Sequence, residues 1–311
     1  MNLSPSNNIN LFGYKDFFIK LINLHEKKIL PNKIILSGNN GIGKSTFVYH
    51  LINYFFSKNE DHKYNVKENV ISEANNSYIL IKKNCHPNLF LIKNVEEKSD
   101  SQISKVREMI NFVNKSSFNN EFKIVLIDNI ELLNTNSVNA LLKVIEEPNN
   151  KLYFFLIHGN NINILDTLKS RCIEFKMFLQ NKDSLKTINY LINNNFYSNL
   201  NDDFKNIYNT PGEIIHLYNF FKDNKIDEQI SIDEFLKLII NKSLFKKNLY
   251  IKSNLNRFIE LYFKKKIYYF NSKDNIYYLY KYFLSKINEC SKYNLDFESV
   301  LIEFKGKIIN E

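Results

Sequence analysis

Ile34-Ile35-Leu36-Ser37-Gly38-Asn39-Asn40-Gly41-Ile42-Gly43-Lys44-Ser45-Thr46 is the stretch whose reading decides the fold. A short apolar run enters a glycine-rich loop, and Phe47-Val48-Tyr49-His50-Leu51-Ile52 leaves it as a helix. Gly38 and Gly43-Lys44-Ser45 satisfy G-x-x-x-x-G-K-[ST] between a strand and a helix, the context that gives this spacing meaning. Glycines at 38, 41 and 43 permit backbone conformations closed to other residues, so that successive amides can face phosphate oxygens. The helix starting near Lys44 adds its unpaired N–H groups and the positive end of its dipole. Gly38, Gly41, Gly43, Lys44, Ser45 and Thr46 are therefore the candidate phosphate-binding residues, with Lys44 on the β and γ phosphates and Ser45 on Mg²⁺. The loop holds a nucleotide phosphate or descends from one that did.

Upstream, residues 14–29 carry apolar residues at helical spacing, closed by Pro31. Downstream, residues 57–77 are polar and without period and read as a surface excursion, and Ser77 to Ile81 as an edge strand or loop. Asn84-Cys85-His86-Pro87-Asn88 is a turn into the strand Leu89-Phe90-Leu91-Ile92. Cys85 and His86 have no second ligand pair nearby, which favours a turn over a metal site. A helix from Ser101 to Lys115 precedes the apolar strand Phe122 to Ile127, which ends in Asp128. A strand apolar on both faces belongs to a parallel sheet, whose ligands sit at the carboxyl ends of its strands. Asp128 is thus a candidate Mg²⁺ ligand together with Ser45, the plainer alternative being a helix cap.

A helix from Thr135 to Glu147 stopped by Pro148, a strand Leu152 to Ile157, a short helix Ile164 to Lys169 and a last strand Ile173 to Phe175 complete a doubly wound α/β pattern. Residues 181–225 read as three short helices broken at Thr210-Pro211-Gly212, and from about 228 the chain is helical and rich in Phe, Leu, Ile and Tyr. The expected domains are 1–178, 179–227 and 228–311.

Among 311 residues the net charge of +9 favours an acidic partner such as nucleic acid. The excess is almost all lysine in a chain also rich in Asn, Ile and Tyr, a bias typical of AT-rich coding. Arg107, Arg171 and Arg257 are therefore the more informative cations, and Lys264-Lys265-Lys266 reads as a solvated helix face. Cys85, Cys172 and Cys290 are too few for a disulfide framework or a zinc site. With no long apolar run and no signal pattern, a soluble cytoplasmic protein without membrane contact or zinc is expected.

Asn139-Ala140-Leu141-Leu142-Lys143-Val144-Ile145-Glu146-Glu147-Pro148, followed after a strand by Ser170-Arg171-Cys172, resembles the bacterial clamp-loader branch of the AAA+ ATPases. His86-Pro87-Asn88-Leu89 and the helix start at Gln102-Ile103 to Arg107 are similar to its delta-prime members. The resemblance is strong over 13–178 and holds by pattern over 179–225. It implies an AAA+ doubly wound parallel-sheet P-loop domain, a small helical lid and a C-terminal helical collar. The implied role is DNA replication, within the DNA polymerase III holoenzyme: a ring with gamma/tau and delta subunits, a hetero-pentamer that loads the sliding clamp on primed DNA. Arg171 would then be an arginine finger offered in trans to a neighbour's ATP site, a role suited to a planar, permanently charged guanidinium. A surface arginine at a helix end is the plainer reading, and Cys172 beside it reads as a small core residue.

Two departures bear on hydrolysis. Asn129 stands where an active subunit of that family has Glu to orient water, and Glu213, aligned with a phosphate-sensing arginine, would repel a γ-phosphate. After the strand Leu152–Ile157, His158, Gly159 and Asn160 follow, with Asn160 able to contact phosphate. The chain is expected to bind ATP with Mg²⁺ weakly at most and not to be an active ATPase by itself. The alternatives are a gamma/tau-like ATPase motor and an unrelated P-loop ATPase acting on DNA.

Overall fold

The computed structural model describes residues 4–93, 99–118, 122–147, 151–160, 162–192, 195–205, 209–269, 273–293, 295 and 297–309. Two compact units emerge, Met1–Leu191 with Thr210–Glu213, and Ile192–Asn209 with Ile214–Glu311.

In the first unit, α1 (Lys15–Glu26), β1 (Lys33–Gly38), α2 (Lys44–Phe56) and α3 (Asn76–Lys82) precede β2 (Leu89–Ile92), α4 (Ser99–Asn114) and β3 (Lys123–Ile127). There follow α5 (Thr135–Glu146), β4 (Leu152–Gly159), α6 (Asp166–Lys169), β5 (Ile173–Lys176) and α7 (Asn181–Ile192), whose last residue falls in the second unit. The five strands are parallel in the order β2-β3-β4-β1-β5. Ile34 and Leu36 of β1 pack on one side with Phe18 of α1 and Phe47 and Leu51 of α2, while Ile35 packs on the other with Val106 and Met109 of α4 and Leu141 and Ile145 of α5. Ile124 and Leu126 of β3 divide from Val125 and Ile127 in the same way. Burial on both faces is why these strands read as unbroken apolar runs. The order β3-β4-β1 sets the end of β4 between Asp128 and the glycine-rich loop.

Residues 77–81 differ from the strand or loop expected. They lie in the helix α3, nucleated by Asn75, whose Oδ1 accepts the Tyr78 amide at 2.6 Å. Asn75 is itself fixed by Asn53, 22 residues away, and donates to the His62 carbonyl. This tertiary capping overrides the weak β-propensity of the segment. Nor is 57–77 all surface, since Tyr64, Ile71 and Asn75 are buried.

The second unit is helical: α8 (Phe196–Asn199), α9 (Asp202–Lys205), most of α10 (Pro211–Asn224), α11 (Ile232–Asn241), α12 (Leu244–Lys247), α13 (Leu249–Tyr269), α14 (Lys273–Tyr293) and α15 (Phe297–Phe304). Among the described residues α7 to α10 thus occupy the segment read as three helices. Aromatic side chains here bury one another, Phe235 against Phe204, Phe221 and Phe258, and Phe304 against Tyr262, Phe263 and Phe283. The lysine run is ion-paired rather than simply solvated: Lys265 bridges Asp203 at 2.8 Å and Asp233 at 2.9 Å, and Lys266 lies 3.4 Å from Asp233. No helix among the described residues is long and apolar enough to cross a membrane.

Candidate functional site

The loop after β1 turns on glycines at φ +81° (Gly41) and +92° (Gly43), a region that favours residues without Cβ. Gly41 also needs its missing side chain for space, because its carbonyl accepts the Gly212 amide at 2.9 Å and a Cβ would run into Thr210 Oγ1. Gly43 instead faces open space and caps α2 without any side-chain hydrogen bond. Tyr14 Oη pins the loop from outside by donating to the Ile42 carbonyl at 3.0 Å. Amides at the start of a helix with no capping side chain fit an anion. Thr46 sits half-buried in that first turn.

Lys44 is buried, and its Nζ donates to the carbonyls of Gly38 at 2.6 Å and Asn39 at 2.8 Å. Burial pushes its pKa down to about 8, opposed by the charges of Glu131 and Asp128. Ser45 Oγ lies 3.1 and 3.0 Å from the two carboxylate oxygens of Asp128. Burial raises the Asp128 pKa, while the Ser45 hydrogen bond and Lys44 act the other way. Sequence positions 83 apart thus meet as a hydroxyl–carboxylate pair at the strand ends, a donor set that fits a hard divalent cation. Asp128 is not a helix cap in this arrangement, since Asn134 caps α5 by accepting the Ser137 amide.

Asn129 adopts a left-handed conformation, φ 56°, and opens a single 3₁₀ turn, Ile130–Leu132. That turn delivers an acid the motif reading passed over: Glu131 Oε1 accepts the Gly159 amide at 3.0 Å. Its only trace in the sequence is its position just after Asp128. Glu213 behaves differently from the expectation of a charge facing the phosphates. Its carboxylate accepts the Thr210 amide at 2.7 Å while Thr210 Oγ1 accepts the Glu213 amide at 3.3 Å, a reciprocal cap on α10. β4 extends through His158 and Gly159, His158 Nε2 bonds to the Ile162 carbonyl at 2.8 Å, and Asn160 is exposed.

Arg171 lies at the turn between α6 and β5. Its Nε donates to Glu146 Oε1 at 2.7 Å and its Nη1 to the Thr167 carbonyl at 2.8 Å. The two charged side chains are 38% and 53% exposed, so the pair is a surface latch that contributes under about 1 kcal/mol. It ties two of the segments that carry the family resemblance, the end of α5 and the Ser-Arg-Cys turn. Burial raises the Cys172 thiol to about 11, which keeps it protonated beside the core at neutral pH. Arg257 is engaged in the second unit with Asn209 Oδ1 at 2.8 Å. His86 stacks on Phe56 with ring centroids 4.1 Å apart, and no metal-ligating group of three or more side chains occurs among the described residues.

A parallel sheet with its glycine-rich loop after β1, its acid after β3 and helices on both faces defines a P-loop α/β protein. A family described as DNA polymerase III, delta subunit matches residues 13–181, more than half of the chain. The chain belongs to that family. A protein named DNA polymerase III subunit delta' from Buchnera aphidicola subsp. Schizaphis graminum is 30% identical over 187 residues, 59% of this chain and 53% of the relative. Another, named DNA polymerase III subunit gamma, from Buchnera aphidicola subsp. Acyrthosiphon pisum, is 27% identical over 51% of this chain and 42% of its own length. The chain thus spans about half the length of these curated relatives. A solved Thermotoga maritima protein described as DNA polymerase III gamma subunit-related aligns over 91% of this chain and 96% of its own, with a TM-score of 0.46 and 14% identity.

Proposed function

We propose that the chain is a clamp-loader subunit of the delta-prime kind, which helps a ring of gamma/tau and delta subunits place a sliding clamp on primed DNA. In this reading it works in the cytoplasm and lends Arg171 to a neighbouring subunit's ATP site. Its own loop is a nucleotide-holding site: Gly38, Gly41, Gly43, Lys44, Ser45 and Thr46 enclose the phosphates, and Ser45 with Asp128 hold Mg²⁺. The bound Mg²⁺ would neutralise phosphate charge and fix the triphosphate's orientation. Lys44 would leave the carbonyls of Gly38 and Asn39 for the phosphates, exchanging two neutral acceptors for charged ones.

The observation that carries this reading is the contrast at the end of β3. The Ser45–Asp128 pair that binds a cation is complete, whereas the next side chain, Asn129, is an amide that takes no proton from water. A site of that kind holds nucleotide better than it cleaves it. The exposure of Arg171 and its latch to Glu146 support the trans role, because a neighbour's phosphates compete with a weak surface ion pair rather than with a buried one. In this proposal residues 179–227 form the helical lid and the helices from 228 to 311, α11 onward, form the collar.

The test is co-expression with gamma/tau and delta subunits from the same genome, followed by assay of the assembled loader. Arg171→Ala is expected to leave assembly intact and to lower DNA-stimulated ATPase at the adjacent site by about 10³-fold. No complex would end the clamp-loader reading, and an unchanged ATPase would end the arginine-finger assignment. Rapid ATP turnover by the purified chain, abolished by Asp128→Ala, would favour the gamma/tau-like motor instead.

A further inference from the structure

Tyr14 is held in a conformation that its own side chain disfavours. At φ 57° and ψ 11° it is left-handed, directly after Gly13 at φ 68°, where the chain turns into α1. A residue with a Cβ stays in that region only where its surroundings impose it, and such outliers gather at functional sites. Two contacts distant in sequence impose it here. The Tyr14 ring stands edge-on to Phe47, in the first turn of α2, with centroids 5.8 Å apart, and the hydroxyl donates to the Ile42 carbonyl at 3.0 Å. The chain accepts strain at Tyr14 and thereby brings a donor to the outside of the glycine-rich loop.

A trans peptide points its carbonyl and the amide that follows in opposite directions. Holding the Ile42 carbonyl therefore turns the Gly43 N–H away from Tyr14. That amide donates to no described residue, nor does the amide of Lys44 after it, and a Cβ on Gly43 would meet nothing within 4 Å. The carbonyl before, that of Gly41, is also held from outside, by the Gly212 amide at 2.9 Å. Glycine at 43 tolerates either orientation of the Ile42–Gly43 peptide, so local sterics do not choose between them. The flipped peptide would present a carbonyl, which repels phosphate oxygens, where the observed one presents a donor. We propose that Tyr14 is a positioning residue for the phosphates: its hydroxyl locks the Ile42–Gly43 peptide with the amide turned toward them. This inference rests on the reading of the loop as a nucleotide site. The segment before α1 then sets part of the loop's affinity for a triphosphate without touching it.

The test uses the purified full chain with Mg²⁺, a fluorescent ATP analogue and tripolyphosphate as its competitor, at a temperature well below the thermal midpoint of each protein. Tyr14→Phe keeps the ring against Phe47 and removes the donor. Affinity for both probes is expected to fall about 3- to 10-fold, the range of one hydrogen bond. Tyr78→Phe is the control, because its hydroxyl donates to the Asn7 carbonyl at 3.3 Å and so holds the same N-terminal segment away from the loop. It is expected to leave both affinities within about two-fold. Unchanged affinity in Tyr14→Phe overturns the proposal. So does an equal loss in Tyr78→Phe, which marks a general loosening of the segment. A loss confined to the ATP analogue, or a wild type from which tripolyphosphate does not displace it, also overturns the proposal, since either places the binding on the nucleoside. All these outcomes leave the nucleotide-site reading standing, whereas a wild-type chain that binds neither probe removes both.

Discussion

Gly41→Ala probes the loop without touching any group proposed to contact a nucleotide through its side chain. At φ +81° an alanine pays the left-handed backbone cost of about 1–2 kcal/mol. Its Cβ would also run into Thr210 Oγ1 and sit 3.1 Å from Gly212 Cα. Turning Thr210 aside sacrifices the cap on α10, worth about 1 kcal/mol. Displacing Gly212 weakens its hydrogen bond to the Gly41 carbonyl, worth about 1 kcal/mol more. A total near 3–4 kcal/mol follows for the first unit. Gly43→Ala has a comparable backbone penalty at φ +92° but meets nothing within 4 Å, so it should cost only about 1–2 kcal/mol. Because two compact units need not unfold together, hydrogen exchange of the β1 and β4 amides is a better assay than one global melting curve. Adding Thr210→Ala to Gly41→Ala should recover part of the steric cost as a favourable coupling. Equal losses for Gly41→Ala and Gly43→Ala would refute the steric account and leave only backbone strain.

Two other perturbations test particular side chains. His50 is buried, with Nδ1 2.9 Å from Tyr64 Oη and Nε2 3.0 Å from the Asn8 carbonyl, and burial holds its pKa down to about 4. Between pH 6.5 and 4 the unfolded chain binds a proton that the native chain does not, so stability falls with pH through that window, by about 3 kcal/mol in full. His50→Gln should make the acid limb of a denaturation–pH profile correspondingly shallower, and an unchanged limb would mean the imidazole is protonated in the native state. For Glu213→Ala, loss of the reciprocal cap should reduce stability by about 1 kcal/mol. Nucleotide affinity should stay within about two-fold, and a ten-fold gain would show that the carboxylate acts on the phosphates after all.

The sequence by itself determined the sheet and the cradle. Runs such as Ile34–Leu36 and Ile124–Ile127 are apolar throughout because both faces are covered, and the glycine spacing from 38 to 43 is a local constraint written in consecutive residues. Family membership was legible for the same reason, in contiguous motifs. What the tertiary structure alone decided are pairings between residues distant in sequence, where local propensity is weak. Asn53 and Asn75 make a helix of a segment with strand-like composition. Glu146 takes hold of Arg171 across 25 residues, and Lys265 is claimed by Asp203 and Asp233. Glu213, which alignment placed toward a phosphate, has its carboxylate turned to its own helix end by the backbone amide of Thr210 three residues back. Glu131 gains its position only because β4 lies between β3 and β1, a strand order that no stretch of the chain records. A carboxylate's role depends on which donors surround it, and those donors are assembled by the fold.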